Sequence, residues 1–247
     1  MSNLFLPGVP VEHVLDRLDK AGGNEVGSGK LAHPESSAAL AVNAFGWFID
    51  RPKLLPALPG TTGVGEVQRV EVEYCAKFPW SHGRHPWLDA AVLTETHLIG
   101  VESKRFESFR DTKSVSLSSA YDRPVWGDNM KRYSKVCDDL RQGALRFKHL
   151  DAAQLVKHGF GLVTEGKRIG RLPVLYYIFA EPNMRAGQNI SCEQHARHRE
   201  EIASFATAVA GDEVAFASAS YHEWLDRWYD RGELAEHATS LRLAFCL

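Results

Sequence analysis

Residues 87–104, WLDAAVLTETHLIGVESK, decide how this chain is read. Two apolar runs, WLDAAVLT (87–94) and LIGVESKRF (98–106), flank a short polar turn, and both are apolar on both faces, as in the middle of a sheet covered by helices. Three charged residues interrupt them: Asp89, Glu102 and Lys104. Burying charge in such a strand is costly unless a partner or a metal compensates. Glu102 and Lys104 lie two residues apart and so share one face of a strand. A two-residue turn at Glu95-Thr96 or Thr96-His97 sets Asp89 opposite Glu102 or Lys104, whereas a three-residue turn sends it to the other face. The favoured even-length hairpin brings the three charges together.

Upstream, VEHVLDRLDK (11–20) carries Val11, Val14, Leu15 and Leu18 at the spacing of one helical face, followed by a flexible AGGNEVGSGK connector. The GSGK ending is not a phosphate loop, because Asn24 stands where its first glycine belongs and Leu31 where Ser or Thr belongs. A helix is expected from His33-Pro34-Glu35 through ESSAALAVNAFGWFI, stopping before Arg51-Pro52. VQRVEVEYCA (67–76) alternates as a half-buried strand, with Glu71 and Glu73 on its solvated or cleft-edge face.

Downstream, helices are expected over 128–147, 151–158 and 193–210, with strands at 172–182 and 214–220 and a final amphipathic segment YHEWLDRWYD. The pattern implies one α/β domain over residues 33–247, its core about 33–180, preceded by a helical extension and linker over 1–32. With 44% hydrophobic and 24% charged residues the chain is globular, and four scattered cysteines give no disulfide framework or cysteine-rich zinc module. No secretory leader or long apolar span is read, so a soluble cytoplasmic protein without membrane contact is expected. A net charge of −2 leaves nucleic-acid binding to a local patch.

The chain holds three [DE]xK triplets, Glu102-Ser-Lys104, Asp111-Thr-Lys113 and Glu165-Gly-Lys167. The second lies in a polar stretch and the third in a glycine-bearing turn, so only Glu102 and Lys104 interrupt an apolar strand. Asp89-x12-Glu102-x-Lys104 resembles the motif of the PD-(D/E)xK nuclease superfamily, the restriction-endonuclease-like fold, and is most similar to bacterial members of poorly assigned role. The resemblance covers about residues 33–180 and rests also on the ESSAALAVNAF helix ahead of the ESK strand. Pro86-Trp87-Leu88-Asp89 replaces the immediate Pro-Asp of the motif's name.

The resemblance implies an α-β-β-β-α-β core with a mixed central sheet flanked by helices, and a divalent-metal-dependent nuclease acting on nucleic acid, DNA before RNA. Asp89 and Glu102 would hold Mg²⁺ or Mn²⁺, since paired carboxylates suit a hard cation, and Lys104 would orient the attacking water. Glu35 is a further catalytic candidate on the first core helix, with partnership to the helix dipole as its plain alternative. Gln154 falls where related nucleases carry a polar active-site or DNA-contacting residue.

Eleven Lys and Arg face six acids between Lys104 and Lys148. That excess makes Lys131, Arg132 and Lys135 candidate phosphate contacts, with Tyr121, Trp126 and Tyr133 for stacking. Competing readings are a noncatalytic nucleic-acid- or protein-binding module on the same fold and a zinc site at His82-x-x-His85 or Cys192-x-x-His195-x-x-His198, whose histidines read mainly as surface residues. A homodimer through Trp224, Trp228 and Tyr229 is weighed against packing of these aromatics on their own core.

Overall fold

The computed structural model describes residues 4–80, 83–110, 113–228 and 232–247, so His82, Asp111 and Tyr229 lie outside the described residues. The helix α1 (Val11–Lys20) is followed by α2 (Ser37–Gly46), then β1 (Val67–Cys75), β2 (Trp87–Thr94) and β3 (His97–Lys104). A single turn, α3 (Glu107–Arg110), leads through a long irregular segment to α4 (Lys131–Gln142) and α5 (Ala152–Ile169). Next come β4 (Leu172–Phe179), a two-residue-per-strand hairpin of β5 (Met184–Arg185) and β6 (Gln188–Asn189), and α6 (Cys192–Val209). The strand β7 (Ala215–Ser220), the short α7 (Tyr221–Leu225) and α8 (Glu233–Phe245) complete the chain.

Five strands form one mixed sheet in the order β1-β2-β3-β4-β7; the first three are antiparallel, and β4 and β7 run parallel to β3. This is the expected α-β-β-β-α-β core, with β7 added at one edge. The two parallel connections run through α5 and α6, both packed with α4 on one face of the sheet, while α1, α2, α7 and α8 cover the other. Residues before position 33 belong to the same packing: Phe5, Val14 and Leu18 join the core under α2, and Asn43 bonds Leu6 N–H and Leu4 C=O.

Several boundaries differ from the sequence reading. The helix α2 begins at Ser37, because Ser36 caps it by accepting the Ala39 N–H, which leaves Glu35 in the preceding turn. The helix α5 runs eleven residues beyond His158 to Ile169, so Glu165-Gly-Lys167 is helical and not a turn. Gly166 serves close packing, since a Cβ there would stand 2.7 Å from the Arg171 carbonyl oxygen, and Gly170 at φ +67° ends the helix. Trp126 and Tyr133, expected as stacking platforms, are core residues, as are Trp224 and Trp228. Arg105 is likewise buried, with Nη2 donating to the Phe245 carbonyl at 2.7 Å, so it fastens α8 to the core.

Candidate active site

The hairpin register places the site. Leu93 pairs with Leu98 and Ala90 with Val101, so the turn is Glu95-Thr96, and one further step along the same register sets Asp89 across from Glu102. Thr94 holds the turn, its Oγ1 accepting the His97 N–H at 2.9 Å. On β3, Ile99 and Val101 pack toward α2 and Leu98 toward α5, which sends Glu102 and Lys104 to the α5 side.

The alternation that sets Asp89 on the same side breaks at the adjacent residue, Leu88. Leu88 and Ala90 ought to share a face, yet Leu88 packs under α5 and Ala90 under α2; Tyr74 and Val72 on β1 divide in the same way. The break centres on Glu73, whose backbone is left-handed at φ +49°. That conformation is costly for a residue with a side chain and is tolerated where surrounding structure enforces it. Arg17 of α1 supplies part of that enforcement by donating to the carbonyls of Val72 at 3.2 Å and Glu73 at 2.7 Å.

The charged groups are closely interlocked. Asp89 Oδ2 accepts the Ser103 N–H at 2.6 Å, while Glu102 Oε1 accepts from Lys104 Nζ. His158 Nδ1 stands 3.1 Å from Glu102 Oε2 without the alignment of a hydrogen bond. Burial pushes the Glu102 carboxyl up, but Lys104 and His158 outweigh it and hold the group at about 2. Burial first and the Glu102 charge second raise Asp89 well above the usual carboxylate range, against the pull of Lys104. Burial also opposes charge on Lys104, yet Glu102, Asp89 and Glu107 override it and keep the ammonium protonated.

Glu73 is the acid whose place the sequence reading missed. It is 9% exposed, it makes no side-chain hydrogen bond or ion pair among the described residues, and burial together with Glu25 and Glu102 pushes it up to about 7. No propensity marks a left-handed glutamate inside a strand, so only the fold reveals it. Glu102, Asp89 and Glu107 therefore act on one committed ammonium, while burial, with the Glu102 charge, leaves Asp89 and Glu73 with raised proton affinity. Such a donor set fits a hard divalent cation, which relieves the same repulsion. As the side chains stand, no three His, Cys, Asp or Glu among the described residues are grouped around one point, because Asp89 and Glu102 are turned to Ser103, Lys104 and His158.

The remaining sequence candidates fall around this centre. Gln154 and His158 lie four residues apart on α5, so one helical stripe carries both. His158 itself had no sequence signal beyond that spacing. Glu35 is paired with Arg185 Nε at 3.1 Å; the acid beside Lys104 is instead Glu107, whose Oε2 accepts the backbone N–H groups of Arg105 and Phe106 and whose Oε1 bonds the Ser37 hydroxyl at the start of α2.

On α4, Lys135 is paired with Asp139 at 2.6 Å, and Lys131 and Arg132 are exposed at the helix start. His198 is not a surface residue: it is fully buried, with Nε2 within 3.0 Å of the Tyr177 hydroxyl, while Cys192 is exposed. No helix among the described residues is long and apolar enough to cross a membrane.

Comparison with curated proteins and with solved structures finds no match. Comparison with protein families does find one, and it extends past the hairpin to nearly the whole chain. Residues 1–242 match the family described as restriction endonuclease associating with ARP, and the chain belongs to that family.

Proposed function

We propose that this protein is a divalent-metal-dependent nuclease of the PD-(D/E)xK type that hydrolyses phosphodiester bonds of nucleic acid, with DNA as the expected substrate. The observation that carries the reading is the buried charge cluster at the hairpin end, where Asp89, Glu102 and Glu107 act on Lys104 and Glu73 acts on Glu102. Membership of a restriction-endonuclease family supports it.

Asp89 and Glu102 are the residues that would hold Mg²⁺ or Mn²⁺. When bound, the cation lowers the pKa of a water and offsets negative charge on the phosphodiester. Asp89 keeps Oδ1 free of the Ser103 bond, and Glu102 is already ionised, so both can offer oxygen. Lys104, held protonated by three acids, orients the attacking water and stabilises charge at phosphorus. His158 acts through Glu102, fixing its orientation from the α5 side. The test is cleavage of a panel of single- and double-stranded DNA and RNA with Mg²⁺, Mn²⁺ or EDTA. Cleavage abolished by EDTA and by Asp89→Asn supports the reading; cleavage that survives both, with contaminating nuclease removed, overturns it.

One observation favours a second reading, a noncatalytic binding module. Glu102 is closed onto Lys104 and His158, which a purely structural buried pair would also do. Calorimetric titration with Mn²⁺ separates the two, because a closed structural pair takes up no ion.

A further inference from the structure

Two hollows of about 790 and 380 Å³ lie side by side and share Phe78, Arg84, Ser118 and Tyr121 as walls. The first adds Trp80 and Arg123, the second His85, Pro86 and Lys157. Among the described residues, neither is lined by an Asp or Glu. Arg84, Arg123 and Lys157 have no ion pair among the described residues. The hollow beside α4, which shares Tyr121 and Arg123 with the first, differs: its walls include Asp122, Asp128, Asp138 and Asp139, and its Lys135 is paired with Asp139.

A polyanion is therefore drawn to the first pair of hollows and not to the helix where the basic sequence run lies. The position is also apt. Pro86 stands three residues before Asp89, and Lys157 immediately precedes His158, which touches Glu102.

The chemistry of the walls narrows the ligand. The Arg123 guanidinium lies over the face of Trp80 at 4.8 Å from the ring centroid. A planar cation on an indole occupies the place a base would take by stacking, and Arg123 is exposed, so it can swing to a phosphate and leave the ring to a base. Phe78 backs Trp80 at 4.8 Å and fixes the platform. A base offers its face only when it is not stacked within a duplex.

We propose that this groove holds an unpaired nucleic-acid strand on its way to the hairpin, with a base on Trp80 and phosphates at Arg84, Arg123 and Lys157. The inference deepens the nuclease reading by naming a single-stranded or splayed substrate, and it rests on that reading only for the strand's destination.

The test is binding without cleavage, measured by fluorescence anisotropy of a labelled twenty-nucleotide dT strand and of a duplex of equal length, in Asp89→Asn protein without metal. Trp80→Ala, Arg84→Ala and Lys157→Ala are each expected to weaken dT binding about tenfold, with a smaller salt slope for the two basic variants, while Lys135→Ala on α4 changes it less than twofold. A thermal melt accompanies each variant. If Trp80→Ala unfolds, Arg84→Ala and Lys157→Ala, both at the surface of the groove, carry the result. Parental affinity in the folded groove variants, no dT binding by the Asp89→Asn protein, or duplex binding as tight as single-strand binding overturns the proposal. Groove-dependent binding together with no cleavage by the parental protein in any metal would instead fault the nuclease reading alone.

Discussion

Two kinds of buried acid occupy this molecule, and the contrast between them says more than either alone. Glu201 on α6 accepts the backbone N–H groups of Lys148, His149 and Leu150 at 2.7–3.0 Å and the Arg197 guanidinium at 3.3 Å. Burial works to raise its carboxyl, but these donors outweigh it and lower it. Glu165, only 2% exposed, is similarly settled between the Tyr74 hydroxyl and Arg168. At the hairpin end, by contrast, Asp89 and Glu73 are raised and Glu73 has no partner among the described residues. Burial is common to both kinds; what separates them is whether the donors around a carboxylate meet its charge. A satisfied acid fastens structure, and an unsatisfied one is available to a ligand.

The sharpest way to break this contrast is to remove the acid expected to bind a cation. Asp89→Asn should lower cleavage by roughly three orders of magnitude or more and abolish Mn²⁺ uptake, read by single-turnover cleavage and calorimetry. Lys104→Ala should cost about two orders in the chemical step while leaving ion binding largely in place, a split that a merely structural lysine would not produce.

On the settled side, Glu201→Ala should destabilise the protein by roughly 3 kcal/mol in chemical denaturation, because three backbone N–H groups lose their acceptor, with no direct loss in the cleavage step. Its stabilising effect is present above the unfolded carboxyl range and fades as pH falls through the lowered folded value.

Glu73 should behave with the opposite sign. Its folded value of about 7 lies above the ordinary 4.5, so the folded state binds the extra proton. Metal-free stability should therefore fall by roughly 3 kcal/mol as pH rises from 4.5 through 7, and Glu73→Gln should flatten that slope. An unchanged slope in that variant would show that Glu73 does not carry the excess charge. The smallest effect is expected at Lys167, paired with Glu213 far along α5: Lys167→Ala should leave cleavage within about twofold.

Much of the site is legible in the amino-acid sequence because its signal is local. Charge inside the apolar runs at 87–94 and 98–106, the two-residue step from Glu102 to Lys104 and the short turn all lie within one short stretch of chain, and the pairing of Leu93 with Leu98 follows from them. The glycine in Glu165-Gly-Lys167 misleads for the same reason: a local cue that reads as a turn is in fact a close contact with Arg171, contributed by the next strand's approach.

The sequence by itself determined the hairpin, the shared face of Glu102 and Lys104, and the α-β-β-β-α-β order, since these depend on periodicity and on neighbours a few residues apart. Only the tertiary structure decided that Glu73 is left-handed and unpartnered among the described residues, that His158 of α5 meets Glu102 of β3, and that the groove with no acid among its described walls lies at Trp80 and Arg84 and not along α4. Net local charge counts residues without regard to which acids fold against them, and a strand's alternation cannot anticipate a break enforced by Arg17 from another helix. Those outcomes belong to long-range packing, where desolvation and partner geometry set what each charge becomes.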